Sequence, residues 1–236
     1  MSEAERIHAR YARRTRKYEP WTPWVHRTHQ ELERRVIDTL RREGMLPPEE
    51  RRLLEVGCGT GGNLLTFLRL GFSPSLIVGS ELQEERAAAA RERLPAGLTV
   101  LSGNSAELEL PDETFDIVFQ SLVFSSILDP AMRGALADRM WQLLAPGGGI
   151  LWYDFTWDNP ANPDVSGIPL RVVRQLFPQG NFSSRRVTLA PPLSRWVTRI
   201  HPALYDWCNV LAPLRTHVLC WIGKPLAGGH GSVASA

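Results

Sequence analysis

The chain has 236 residues, 43% of them apolar and 22% charged, which suits one soluble globular domain with embellishments. A net charge of +2 makes no global demand for a polyanionic partner. Three cysteines (Cys58, Cys208, Cys220) lack metal-type spacing and argue against a disulfide framework. The stretch Met1–Lys17 is charged throughout and has no apolar signal core. No run approaches the roughly 20 apolar residues of a membrane-spanning helix. The expected home is the cytoplasm, with no membrane partner.

In chain order, Ala4–Lys17 is basic and mostly polar, and Tyr18–Trp24 holds two prolines and two tryptophans. Thr28–Glu43 carries Leu32, Val36, Ile37 and Leu40 at helical spacing. Pro47-Pro48 marks the junction to a core. From there strands and helices alternate. Strands are expected at Leu53–Val56, Leu76–Ser80, Leu98–Leu101, Phe115–Gln120 and Gly148–Tyr153. Helices are expected at Gly62–Leu70, Leu82–Leu94 and Pro130–Leu144, then at Leu170–Leu176. Ser183–Leu189 and Thr216–Ile222 read as a closing strand pair around a helix at His201–Leu211. The alternation implies parallel β-α-β units with right-handed crossovers. The expected class is therefore α/β, with residues 1–50 an N-terminal helical arm or cap, 51–227 the main domain and 228–236 a disordered Gly/Ser/Ala tail.

The most telling stretch is Leu53-Leu54-Glu55-Val56-Gly57-Cys58-Gly59-Thr60-Gly61-Gly62-Asn63. A strand that breaks into a glycine-rich turn and opens a helix brings backbone N–H groups close to a ligand. Gly57, Gly59 and Gly62 also satisfy the G-x-G-x-x-G dinucleotide spacing, which alone is a weak signal. Glu55 would repel a pyrophosphate at this point, but would attract a cation or a sugar hydroxyl. Glu55-x-Gly57-x-Gly59-x-Gly61 resembles the first motif of class I S-adenosylmethionine-dependent methyltransferases, and the resemblance extends over Leu53–Leu151 and more loosely to Pro225. It implies a doubly wound, seven-stranded, mostly parallel sheet closed by an antiparallel strand. It also implies S-adenosyl-L-methionine as cofactor, held at its methionine end by Glu55 and the loop residues Gly57, Cys58, Gly59, Gly61 and Asn63.

In such a sheet each strand end can be asked for its contribution. Glu81, twenty residues past Gly61, stands where an acid would bind the two ribose hydroxyls, with Leu82 beside it; capping the next helix is an equally physical role. Gly103-Asn104-Ser105-Ala106 resembles the family's adenine-flanking stretch, with Asn104 in place of the usual Asp. Gln120, Ser121 and Leu122 end the fourth strand, next to the expected methionine moiety. Many relatives carry an acid and a histidine there; Leu122 and Ser126 remove that obvious base. Leu143-Leu144-Ala145-Pro146-Gly147-Gly148 resembles the family's turn before strand five and speaks for fold. Asp154 and Tyr153 are the expected catalytic candidates, with His26, His29 and His217 as other possible bases. Methyl transfer from a sulfonium asks mainly for alignment and exclusion of water, so a missing base does not count against an enzyme.

The expected acceptor is a small molecule or a glycan, by analogy with bacterial methyltransferases of similar layout. The alternatives are an NAD-linked oxidoreductase, on the glycine spacing, and a nucleic-acid-modifying methyltransferase. The latter rests on the basic arm Arg6, Arg10, Arg13, Arg14, Arg16 and Lys17. No metal is expected. Tyr11, Tyr18, Trp21 and Trp24 need burial, either as outer packing or as a lid over the ligand cleft.

Overall fold

A computed structural model of the chain describes residues 2–12, 19–158 and 162–226. Two N-terminal helices, α1 (Glu3–Ala12) and α2 (Pro23–Arg42), precede the sheet. Strands β1 (Leu53–Val56), β2 (Ile77–Glu81), β3 (Thr99–Ser102), β4 (Phe115–Ser121) and β5 (Leu144–Phe155) follow. They alternate with α3 (Gly62–Arg69), α4 (Glu84–Arg93) and α5 (Pro130–Leu143). Then come α6 (Leu170–Leu176), β6 (Asn181–Leu189), α7 (Pro191–Ile200), α8 (Leu204–Asn209) and β7 (Arg215–Gly223). The sheet order is β3-β2-β1-β4-β5-β7-β6, with β7 antiparallel to both neighbours. This is the expected doubly wound arrangement with its closing strand. The expected arm and the expected start of the main domain fall on either side of residues 50–51, just ahead of β1. The expected tail, 228–236, and the arm residues Arg13, Arg14, Arg16, Lys17 and Tyr18 lie outside the described residues.

The central strands are buried on both faces, which is why they read as short continuous apolar runs. Two apolar layers result. One holds Leu53, Phe67, Ile77 and Phe119 under α3 and α4; the other holds Leu54, Val118, Trp152 and Met140 under α5. Phe67 makes edge-on contacts with Phe72 and Phe119 at centroid distances of 5.4 and 5.2 Å, a favoured aromatic geometry. Asp116, at the start of β4, accepts from Arg52 N at 2.8 Å and from Arg51 Nη1 at 3.3 Å, so its role is structural.

Three differences from the expected elements have physical causes. Strand β5 begins at Leu144 because that residue pairs with Phe115 across a register shift, ahead of the Pro146-Gly147 turn. Helix α1 forms within the expected helical arm, with Ile7 as its buried anchor. Helix α7 was hidden by Pro191-Pro192, which reads as a breaker but sits at the first helical positions, where no N–H is needed. The helix expected over His201–Leu211 shortens to α8, because the chain ahead of it closes i→i+3 turns, with Leu204 N donating to His201 O at 3.1 Å and Tyr205 N to Pro202 O at 3.2 Å.

Candidate functional site

Strands β1, β2, β4 and β5 end at one level, since Val56 pairs with Ser80 and Gln120, and Gln120 with Trp152. The carboxyl rim so formed is where ligands bind in open α/β sheets. At the end of β1, Gly57, Gly59 and Gly61 have φ of 69°, 59° and 81°. At Gly57 a Cβ would also stand 2.5 Å from Val123 Cγ2, so that position strongly favours glycine. Gly62 is different: it is helical, and an added Cβ would meet nothing within 4 Å. The third glycine of the dinucleotide fingerprint is needed for close helix–strand packing, and that need is absent here.

Glu55 is 1% exposed at the end of β1. Its Oε1 accepts from Asn63 Nδ2 of α3 at 2.7 Å, while Oε2 has no hydrogen-bond partner among the described residues. Burial raises its pKa to about 8, Asn63 opposes that, and the nearby Glu81 adds to it. A buried acceptor without a donor is costly, and a cationic N–H donor would relieve it. Glu81 is already held by the main chain. Its Oε2 accepts from Gly59 N at 2.8 Å and its Oε1 from Gln83 N at 3.1 Å. Arg86 Nη1 lies 3.7 Å from Oε2. Two backbone bonds fix the carboxylate and leave lone pairs for further donors. The residues present thus fit a ligand with a cationic end and a pair of hydroxyls.

The other expected residues divide. Cys58 is buried; its N–H donates to Ser80 O at 2.8 Å, and burial pushes the thiol well above its ordinary pKa, so it is inert packing. Ser105 Oγ lies 2.8 Å from Ser80 Oγ, which ties β2 to the turn after β3. Asn104 accepts from Ala106 N at 3.1 Å and donates to Glu107 at 2.7 Å, so its side chain caps its own turn. Leu82 and Ala106 pack on the apolar layer that includes Ile7. Gln120 is wholly buried between Tyr153 O and Val123 N. Ser121 is half-buried, whereas Leu122 is 39% exposed with φ of 60°. Positive φ is uncommon for Leu and is held by Leu122 N donating to Tyr153 O at 2.9 Å.

Tyr153 and Asp154 stand behind the rim. The Tyr153 hydroxyl lies 2.8 Å from Thr188 Oγ1 and its ring stacks on His217 at 5.1 Å. Asp154 is fully buried and accepts from Ser125 N at 3.0 Å and Phe155 N at 2.9 Å. Burial raises its pKa to about 7 against those bonds and Arg133. Burial lowers His217 to about 4, so it is neutral at physiological pH. His29 is likewise lowered by burial, and His26 lines a shallow cleft with Trp21 and Pro202.

Sequence reasoning missed three contributors. Arg86 lies between Glu81 and the Tyr11 ring, 4.4 Å from its centroid. Gln83 is buried, with its Nε2 unpartnered among the described residues. Helix α1 itself lies across the rim: Arg6 donates to Ser126 O at 2.6 Å, and Glu3 accepts from Leu128 N at 2.5 Å. The aromatic arm does not act as one group. Tyr11 packs at the rim, Trp24 lies under Arg195, and Trp21 faces solvent.

Residues 53–148 match the family model described as a methyltransferase domain. The chain is 31% identical over 172 residues to the fatty-acid O-methyltransferase of Mycolicibacterium smegmatis, covering 71% of this chain and 61% of that protein. It is 31% identical over 112 residues to the tRNA N(3)-cytidine methyltransferase METTL2 of Gallus gallus, covering 44% of this chain and 30% of that one. It thus spans less than two thirds of either relative. The structure of an S-adenosylmethionine-dependent methyltransferase from Mesorhizobium loti superposes with a TM-score of 0.57, at 20% identity, over 79% of this chain and 96% of that one, a likeness of fold. These matches identify residues 53–148 as a methyltransferase domain. Its fold is that of class I S-adenosylmethionine-dependent methyltransferases.

Proposed function

We propose that the protein transfers a methyl group from S-adenosyl-L-methionine to a small-molecule acceptor, a lipid or a glycan being the leading classes. The observation that carries this reading is the orphaned, buried Oε2 of Glu55 beside a glycine turn. When bound, the cofactor supplies a methyl group activated on a sulfonium. Glu55, steadied by Asn63, would take its ammonium group. Glu81, fixed by Gly59 N and Gln83 N, would take the ribose hydroxyls. Ser105 and Ala106 would flank the adenine, and the exposed Leu122 would face the sulfonium side. Asp154 and Tyr153 act in this reading as positioning residues. Asp154 holds the Phe124–Ser126 turn by Ser125 N, and Tyr153 ties β5 to β6 through Thr188. Alignment and exclusion of water then carry the rate.

Nucleic acid is the weaker acceptor. Of the basic arm, Arg6 is already engaged by the Glu3 carboxylate and the Ser126 carbonyl. The tRNA-modifying relative shares under a third of its length with this chain. NAD chemistry is disfavoured by Gly62 and by the acid at Glu55. The experiment is methyl transfer from labelled cofactor to lipid, aqueous and RNA fractions of a cell extract. Label in the lipid or aqueous fraction, abolished in Glu55→Ala, supports the reading. Label in RNA alone overturns the acceptor class.

A further inference from the structure

Four of the eight tryptophans are mostly exposed: Trp21 at 77%, Trp157 at 61%, Trp196 at 62% and Trp207 at 76%. Tryptophan is normally well buried, so exposed clusters of large apolar residues mark contact surfaces. Their placement is not scattered. Trp196 and Trp207 belong to the 190–214 insertion that joins β6 to β7. Strand β6 runs parallel to β1, β4 and β5, so Leu189, which pairs with Arg215, ends it at the carboxyl rim. The insertion therefore hangs from the functional edge. Trp157 follows β5 at that edge, and Trp21 shares a cleft with Pro202 of the insertion.

Helix α7 is amphipathic. Ser194, Val197 and Thr198 face the protein, while Trp196 and Ile200 face out beside Arg199. After α8, Val210 and Leu211 are exposed as well. Within residues 190–214 the charges other than Asp206 are basic. Asp206, the one acid between 190 and 214, is paired to Arg27 and Arg34 of α2. Arg195, Arg199 and Arg215 have no carboxylate partner among the described residues; Arg215 is turned to the backbone oxygens of Asn209, Arg186 and Val210. A helix with outward Trp and aliphatic side chains next to arginines is the composition of an interfacial, membrane-surface element.

We infer that the β6–β7 insertion docks on an anionic lipid surface, so that a membrane-partitioned acceptor enters the rim from that surface. The entry route rests on the methyltransferase reading; the docking does not. Charge decides against a second copy as the occupant, because a two-fold contact would set this basic patch against itself. The exposed aliphatics Ile200, Val210 and Leu211 decide against nucleic acid, whose bases and phosphates offer them nothing to bury against. Anionic headgroups neutralise the arginines, and the acyl boundary accepts tryptophan and aliphatic side chains.

The test is flotation of the full chain with phosphatidylcholine vesicles, with and without phosphatidylglycerol, read also by tryptophan emission. The chain is expected to float with the anionic vesicles, with a blue-shifted emission, and to be released by high salt. Trp196→Ser/Trp207→Ser is expected to weaken vesicle binding at least tenfold, and Arg199→Glu several-fold. Both positions are exposed, so the variants should fold, and their S-adenosylhomocysteine affinity should equal that of the parent. That calorimetric control separates loss of docking from loss of the cofactor site. The inference is overturned if the parent fails to float, or if both variants float as well as the parent. It is also overturned if the same variants abolish a salt-sensitive RNA gel shift or a concentration-dependent dimer while flotation is unchanged.

Discussion

The two ends of the carboxyl rim are built differently. On the β1–β2 side, positions are set by main chain: positive-φ glycines, Gly59 N on Glu81, and Ser80 O on Cys58 N. On the β5–β7 side they are set by inserted helices and large side chains, with Tyr153, Thr188 and Glu31 buried and four tryptophans left outside. The first construction is preorganised, and suits one invariant ligand. The second is an apolar, basic margin, and suits an acceptor arriving from elsewhere. If that division is right, substitutions near β1 and β2 should act on cofactor affinity, and those near α1 and the insertion on turnover and docking.

The largest effect should come from Glu55. Glu55→Ala removes a buried carboxylate facing a cationic donor and is expected to weaken S-adenosylhomocysteine binding by about 3 kcal/mol, the upper range for hydrogen bonds to charged groups. Titration calorimetry reads it; unchanged affinity in a folded variant would remove Glu55 from the site. Its pH dependence sharpens the point. With a folded pKa near 8 against an ordinary 4.5, the free protein holds a proton there that the unfolded chain has lost. The contribution of Glu55 to stability is therefore greatest below about 4.5 and is lost as pH rises through 8. A cationic ligand pulls the pKa down again, so affinity should rise from pH 6 to 8, by up to about tenfold per unit, with proton release. Glu55→Gln should flatten both slopes, and an unchanged slope in that variant would sink the assignment.

Glu81→Ala should cost about 1.5–3 kcal/mol of cofactor affinity, with the fold intact. If affinity holds, Glu81 serves only Gly59 N and Gln83 N.

Removal of residues 1–12 should leave the sheet folded but lower turnover about tenfold, roughly 1.4 kcal/mol, because Tyr11 and Arg86 then no longer cover the rim. Hydrogen exchange over α1 should slow on adding S-adenosylhomocysteine. Exchange indifferent to the ligand, with full activity in the truncated chain, would make α1 packing alone.

Gly62→Ala marks the small end. Since an added Cβ there meets nothing, cofactor affinity should not change and stability should rise by about 0.5 kcal/mol or less. A large loss of binding would revive the dinucleotide reading.

Much of the preorganised side was legible in sequence for the same reason that it is preorganised. Short apolar runs bounded by glycine and proline gave strand ends within one or two residues, and Glu55 and Glu81 announce themselves as acids at strand ends. What stayed hidden was decided by tertiary packing. Asn104 and Gln120 could equally face a ligand or cap their own turns; the fold sets Asn104 on its own turn and buries Gln120. Arg86 and Tyr11 meet only because α1 crosses the rim. In the insertion, Pro191-Pro192 disguised a helix start. The spacing Arg195-Trp196, Arg199-Ile200 was available as an amphipathic signal, yet only burial shows which face remains outside. The expectation of no membrane partner came from the lack of a spanning segment; among the described residues no helix is long and apolar enough to cross a membrane. That says nothing of a surface contact.

The central claim is that the β1–β2 end of the rim is built for S-adenosylmethionine. Its most direct test is titration calorimetry of the full chain with S-adenosylhomocysteine and, in parallel, with NAD. Micromolar binding of the former, roughly −7 to −9 kcal/mol, with no heat from NAD is the expected result; tight NAD binding with no response to S-adenosylhomocysteine would contradict the account.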